Sequence, residues 1–333
     1  MKKEKQTKLG LKKKVMLKIG RPNYKALMRK EEALPEHFAC ITPIPESPTR
    51  FEIPLEAMDL MEKDEVSQMF SFKALPVMAG SMKGIIQGMK KLKNNPLQAK
   101  KSIKDAEFQN LERFITSQGV GMIGYAKLPP VLVFKEKGVL YDNAIVLIME
   151  MDKSKMDTAP SYESFHEVHR TYRDLGYAGN SIAKFLRSMQ FGAHPVHPLG
   201  GAVLTPPLAK MAGLGWQGRH GMLITPKFGP RMRIGVVFTS IQNLPFSKDN
   251  PHAWIEDYCK TCGLCIKKCP TSAIKESPIP YSEGLLNHID REKCFPYFIE
   301  NHGCSVCIKE CMFNKIGYDI LKNKYTKQKE RNA

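Results

Sequence analysis

The sequence predicts an α/β (α+β) fold with a separate cysteine-rich unit at its C-terminal end, and three observations predict it. Apolar runs of strand length stand at 120–125, 143–149 and 234–239. Between the second and third, Phe165, Val168, Tyr172, Leu175, Gly179, Ile182, Leu186 and Met189 recur at three and four residues, which is one continuous helical face. Eight of the nine cysteines fall after residue 250.

The run Cys259, Cys262, Cys265, Cys269-Pro270 has the bacterial ferredoxin spacing C-x2-C-x2-C-x3-C-P. Three cysteines two residues apart can curl around one corner of a cubane, while the fourth, followed by proline, is directed to a different cluster. Downstream, Cys304, Cys307 and Cys311 form a second run, and Cys294 completes a set of eight thiolates. That is enough for two [4Fe-4S] clusters, Cys259, Cys262 and Cys265 joining Cys311 on one, and Cys269, Cys294, Cys304 and Cys307 on the other. Zinc and disulfides are the alternatives for C-x2-C pairs. Zinc takes four ligands and needs no third cysteine at the same spacing, and a disulfide framework belongs to small secreted chains. Cys40 reads as an ordinary small buried residue.

The chain has 333 residues, 42% of them hydrophobic and 25% charged, which suits one large domain or two of ordinary size. No apolar run approaches the roughly 18 residues that cross a bilayer. Near the N-terminus, Lys18 and Gly20-Arg21-Pro22 interrupt the apolar Val15-Met16-Leu17 before it becomes a signal segment. The expected location is cytoplasmic, or peripheral at a membrane, and a reducing compartment suits thiolates meant for iron. The net charge of +18 is unevenly placed. Residues 1–30 hold twelve Lys/Arg against Glu4 alone, Lys83 to Lys104 hold seven lysines without an acid, and Lys322 to Arg331 is basic again. These segments suit phosphate, on tRNA or on an anionic membrane surface, although solvated faces account for them equally well.

In chain order, residues 1–33 read as a basic, partly helical arm, and Leu34 to Pro54, with five prolines, as an extended connection. Met82, Ile85, Ile86 and Met89 predict a basic amphipathic helix, packed on its own domain or lying on a surface. From near Asp105, Phe108, Leu111, Phe114 and Ile115 mark a helix that ends around Gly119. Two strands follow, and the run at 143–149 is apolar throughout, as a strand buried on both faces requires. After the long helix, 193–207 is so rich in Pro and Gly that a loop is expected, with a helix at 208–212. Gly213, Gly215 and Gly218 fit G-x-G-x-x-G. A dinucleotide site would place that loop between a strand and a helix with an acid about 20 residues on. Here a helix precedes it and Arg231 and Arg233 stand at that distance, so the glycines are read as letting backbone pass close to a bulky cofactor.

Taken together, Ala212-Gly-Leu-Gly-Trp-Gln-Gly-Arg-His-Gly-Met-Leu-Ile-Thr-Pro-Lys-Phe-Gly-Pro-Arg-Met-Arg233, Thr239 and the two cysteine runs resemble the cobalamin-dependent family that contains the reductive dehalogenases and the tRNA enzyme epoxyqueuosine reductase. The resemblance covers about Asp105 to Lys315. It implies a nitroreductase-like α/β core at 105–248 carrying a base-off corrinoid and a ferredoxin-like two-[4Fe-4S] domain at 249–318, with the basic extension 1–104 and the tail 319–333 outside it. The D-x-H-x-x-G signature of histidine-ligated corrinoids is missing, since Pro195 stands where the Asp would precede His197, and members of the family leave the lower cobalt face without a protein ligand.

The implied activity is that of an iron–sulfur oxidoreductase in which electrons from a low-potential ferredoxin or flavodoxin pass through two cubanes to the corrinoid. A small-molecule substrate then loses a leaving group. Dehalogenases use a tyrosine proton donor with a nearby basic residue, which points to Tyr172 first, Tyr177 second, and Arg231 or Arg219 as the basic partner. His197, Gly213, Gly215, Gly218 and Arg219 are the candidates for corrinoid contact, with His194 beside them. Epoxyqueuosine reductases use an aspartate where this chain reads Leu199-Gly-Gly-Ala-Val-Leu-Thr205, without an acid. An epoxyqueuosine reductase-like enzyme, and an electron-transfer or corrinoid-handling protein without a substrate of its own, remain the other two readings.

Overall fold

The computed structural model describes residues 16–62, 75–282 and 284–332. Of the expected basic arm, residues 1–15 lie outside these. The strands are β1 (Met122–Lys127), β2 (Asn143–Glu150), β3 (Ala193–Val196), the short pair β4 (Trp216–Gln217) and β5 (Leu223–Ile224), β6 (Met232–Thr239), and the hairpin β7 (Ile274–Ser282) and β8 (Leu285–Ile289). The main sheet runs in the order β1-β2-β6-β3 with every neighbour antiparallel.

Alternation along β2 explains why its sequence is apolar throughout. Ala144, Val146 and Ile148 point to one face, where Leu132, Val133, Leu208 and Phe238 lie. Ile145, Leu147 and Met149 point to the other, where Leu111, Ile115, Leu175, Ile182 and Leu186 close over them. Each of these large side chains contributes roughly 1.5–3 kcal/mol by leaving water. Two helices form the second cover: α4 (Asp105–Ser117) and the 27-residue α5 (Tyr162–Ser188). Ser161 starts α5 by accepting the amide of Ser164.

The longer helices that precede these among the described residues are α1 (Arg21–Glu32), α2 (Ile53–Glu62) and α3 (Leu75–Lys90). The basic amphipathic segment is α3, and it packs inside the fold along α5, where Asn180 Nδ2 donates to Gly84 O at 2.9 Å. The connection between α1 and α2 is mostly irregular, as its prolines require.

Segment 193–207 departs from the loop expected there. Ala193–Val196 is the edge strand β3, pairing with Val236 to Thr239, and its Pro195 is tolerated because an edge strand has one side free of ladder bonds. The following helix, α6 (Thr205–Met211), begins earlier than expected because Pro206 and Pro207 fall in its first turn, where no amide is needed.

The C-terminal unit holds α7 (Trp254–Cys262), which stops at Gly263 with φ 57°, then β7 and β8, α8 (Arg291–Glu300) and α9 (Tyr318–Asn332). Trp254, Tyr258, Phe313 and Tyr318 pack edge to face at its centre. Among the described residues, no helix is long and apolar enough to cross a membrane.

Candidate electron-transfer and cofactor site

Two separate spaces receive the eight C-terminal cysteines. Cys259, Cys262, Cys265 and Cys311 line a small recess under Arg219, His220, Tyr258 and Phe313. Cys269, Cys294, Cys304 and Cys307 line a much larger cleft, about 1360 Å³ with its open mouth counted. The two quartets adjoin, for Cys265 of the first is close enough to Cys307 of the second to raise its pKa. Cys40 stands apart, against Gly138.

Local backbone explains each quartet. The chain leaves α7 through the left-handed Gly263, so that Cys262 and Cys265 fall on either side of a tight bend. Around Cys304 four consecutive residues, His302, Gly303, Cys304 and Ser305, take positive φ between 44° and 71°. Three of them are not glycine, a conformation that costs about 1–2 kcal/mol each and that only a dense surrounding structure sustains. Backbone amides turn toward the sulfurs: Ala273 N donates to Cys269 Sγ at 3.3 Å, and the amide of Arg219 donates to Cys259.

Burial pushes the Cys259 thiol up to about 12 and the Cys265 and Cys294 thiols up to about 11, and it raises Cys307 and Cys311 as well. For Cys269 burial works in the same sense, but the amides of Thr271 and Ala273 outweigh it and the net shift is downward. Buried thiols of this kind become thiolates when a cationic centre compensates their charge. Among the described residues, no three His, Cys, Asp or Glu side chains converge closely enough for a single metal ion. Quartets spread around a space suit a multi-atom cluster better than a tetrahedral zinc.

The large cleft lies between the two units. The C-terminal unit supplies the second quartet with Ile274, Ile289, Tyr297, Phe298 and His302, and the sheet domain supplies Phe165, Val168, His169, Tyr172, Met222 and Arg233. Ile53, Pro54 and Met78 close it from the N-terminal helices. Among the described residues, no Asp or Glu lines it. The guanidinium of Arg233 lies over the Tyr172 ring, 4.7 Å from its centroid, and His169 meets that ring edge-on at 6.0 Å. Burial, with Arg233 nearby, lowers His169 to about 3, so the imidazole is neutral and its Nδ1 has no hydrogen-bond partner. Arg233 Nε is likewise buried and unpartnered. Tyr172, Met222 and Arg233 also line a second recess of about 520 Å³ with Thr205, Pro206 and Ile234.

Tyr172 thus stands in the cleft, while the other candidates from the sequence stand elsewhere. Tyr177 faces α3, its hydroxyl near Gly80. Arg231 is held by Glu150 at 2.7 Å and by the carbonyl of Met151 at 3.0 Å, and the cation beside Tyr172 is Arg233. His197 is buried between α3 and α5, against Gly84 and Gly176, and His194 accepts the Leu140 amide. Gly213, Gly215 and Gly218 approach protein atoms. A Cβ on Gly215, whose φ is 158°, would lie 2.1 Å from Ile224 O, so this glycine serves the β4–β5 turn. Arg219 covers the first quartet and lies outside the cleft. Sequence reading missed His169, Met222 and Arg233.

The 4Fe-4S binding domain family matches residues 252–275. The tetrachloroethene reductive dehalogenase of Desulfitobacterium hafniense is 33% identical over 227 residues, which is 62% of this chain and 39% of that protein. The epoxyqueuosine reductase of Francisella cf. novicida (strain Fx1) is 37% identical over 131 residues, 34% of this chain and 32% of that protein. This chain therefore spans well under half the length of these relatives. A solved catabolic reductive dehalogenase in complex with 3-bromo-4-hydroxybenzoic acid superposes with a TM-score of 0.60 at 21% identity, over 74% of this chain and 38% of that one, which shows the shared fold. The chain is a homologue of the reductive dehalogenases and the epoxyqueuosine reductases, with a 4Fe-4S binding domain toward its C-terminus.

Proposed function

We propose that the chain is an iron–sulfur reductase of the reductive dehalogenase kind, acting with a corrinoid to remove a leaving group, such as halide, from a small organic molecule. One observation carries the reading: the second thiolate quartet and the Tyr172–Arg233 pair face the same apolar cleft. In this reading the two quartets hold two [4Fe-4S] clusters, each run of cysteines lending its last member to the neighbouring cluster, and a low-potential donor fills them one electron at a time.

The cleft fits a large, mostly apolar cofactor. Phe165, Val168, Met222, Tyr297 and Phe298 supply apolar walls, and the unpartnered His169 Nδ1 and Arg233 Nε supply polar contacts that the fold itself leaves open. A corrinoid bound there would supply the low-potential reducing equivalents that break the bond to the leaving group. Tyr172 is the proton donor, because among the described residues no carboxyl group lines the cleft and its ring lies under the Arg233 guanidinium. The recess on the far side of Tyr172, Met222 and Arg233 is where a substrate of modest size would approach.

The test is anaerobic purification with cobalamin supplied, followed by iron analysis, electron paramagnetic resonance and turnover of tetrachloroethene or a bromophenol. Support consists of iron in both quartets, base-off cob(II)alamin, and turnover that Tyr172→Phe abolishes while iron and cobalamin contents stay unchanged. Zinc in place of iron, or a cleft that takes up no cobalamin, overturns the reading.

A further inference from the structure

Cys259 lines two spaces at once: the recess of the first quartet, and a shallower hollow of about 840 Å³ that opens on the surface beside it. Arg219 is common to both as well. The second quartet faces the cleft where the chemistry is placed, so the first quartet is the end of the relay nearest this hollow. Whatever settles in the hollow touches Cys259, a residue of the first quartet.

The rim has two properties together. The first is positive charge. Lys210, which stands over the Trp216 ring at 3.6 Å, and Arg219 line the hollow, while Lys260 is paired with Glu256 and Asp257. Tyr325 donates to Asp257 at 3.2 Å, which holds α9 alongside α7. From α9 project Lys322, Lys324, Lys327, Lys329 and Arg331 against two acids, Asp319 and Glu330. The second property is exposed apolar surface. Leu286, which lines the hollow, is 47% exposed, and Ile279 and Tyr281 on the paired strand β7 are more than half exposed. Charged residues around an apolar contact patch are the makeup of a transient protein–protein surface.

We propose that this face, the hollow with the lip of β7–β8 and the basic α9, docks an acidic one-electron carrier protein that loads the first cluster. The inference rests on reading the two quartets as clusters, and it deepens that reading by placing the point of electron entry. A nucleic acid would also answer the positive charge, but it has no use for exposed aliphatic side chains or for the neighbouring thiolates.

The experiment is anaerobic stopped-flow mixing of the cluster-loaded protein with reduced flavodoxin, an acidic carrier, following the iron–sulfur absorbance, with dithionite as the small-molecule control. Leu286→Glu and the double variant Lys324→Glu/Lys327→Glu are expected to slow reduction by flavodoxin about tenfold or more, and added salt to slow the unaltered protein, while dithionite rates stay the same. Equal flavodoxin rates in all forms, or rates indifferent to salt, overturn the docking face. So does a result in which the α9 variant loses only tRNA binding, or only self-association. Absence of bleaching by dithionite removes the cluster reading itself and is recognisable as such.

Discussion

Gly176 and Gly179 lie three residues apart near the middle of α5, and alanine should have opposite effects at the two. A Cβ on Gly179 would sit 3.8 Å from Pro195 Cβ and Val237 Cγ2, ordinary contact distances. Gly179→Ala therefore gains only the helix propensity, about 0.8–1 kcal/mol. A Cβ on Gly176 would sit 2.0 Å from His197 Nε2 and 2.2 Å from its Cδ2. The ring cannot retreat, since Gly84 of α3 is packed against the same edge, where its own Cβ would be 3.2 Å away. Overpacking of this kind costs about 1–3 kcal/mol or more and exceeds the propensity gain. The propensity gain is common to both, so the two variants should differ by the overpacking cost, about 1–3 kcal/mol or more, Gly179→Ala above the unaltered protein and Gly176→Ala below it. Thermal unfolding of the cluster-loaded protein under anaerobic conditions reads the order directly. If the two melting temperatures move in the same direction, the account of α5 as a helix notched for His197 is wrong.

Acidification should destabilise the sheet domain well before carboxylates titrate in bulk. Burial, with Arg187 nearby, holds His194 down to about 3, and burial holds His197 down to about 4 against a carbonyl contact from Leu199. Between those values and the usual 6.5 the unfolded chain binds protons that the folded one refuses, so stability falls with falling pH, by up to about 2.7 kcal/mol per pH unit for the pair. Glu31 works in the opposite sense. Burial raises it to about 6 despite Lys137 and Arg50, so its contribution is present below 4.5 and fades as pH rises through 6. Denaturant midpoints measured from pH 7.5 to 4.5 check the sum, and a profile that improves toward pH 5 would refute it. Removing one thiolate from each quartet, by Cys311→Ala or Cys307→Ala, should cost about half of roughly eight irons per chain. Cys40→Ala should cost none, and iron loss there would mean that the quartets are misassigned.

How much of the fold was legible follows from how local each signal is. β2 was readable because a strand sandwiched between two cores must be apolar at every position, and α5 because 27 residues of helical periodicity leave little ambiguity. β3 was not readable. Four residues that include a proline carry no strand pattern of their own, and only pairing with Val236 to Thr239 makes them extended. The glycine motif misled for a related reason. Its sequence is compatible with a close approach to any neighbour, and the neighbour of Gly215 turned out to be the Ile224 carbonyl on the paired strand β5.

The site divides along the same line. Cysteine spacing is a short-range pattern that the sequence carries by itself, and the two spaces are lined by those cysteines. The cleft's other wall depends on strand pairing. Arg231 and Arg233 are two residues apart and indistinguishable by composition, but the ladder sets Arg233 opposite Met149, while Arg231 falls just before β6, where Glu150 holds it. That choice needed the β2–β6 register. The tyrosines were a different case, because helical geometry alone separates them: five residues turn a helix by about 140°, so Tyr172 and Tyr177 cannot share one face. The same geometry puts Phe165, Val168 and His169 on the face of Tyr172, seven, four and three residues before it. His169 was therefore within reach of the sequence, since a histidine one turn before the proposed proton donor shares whatever surface that phenol faces, and the cleft places both against the second quartet.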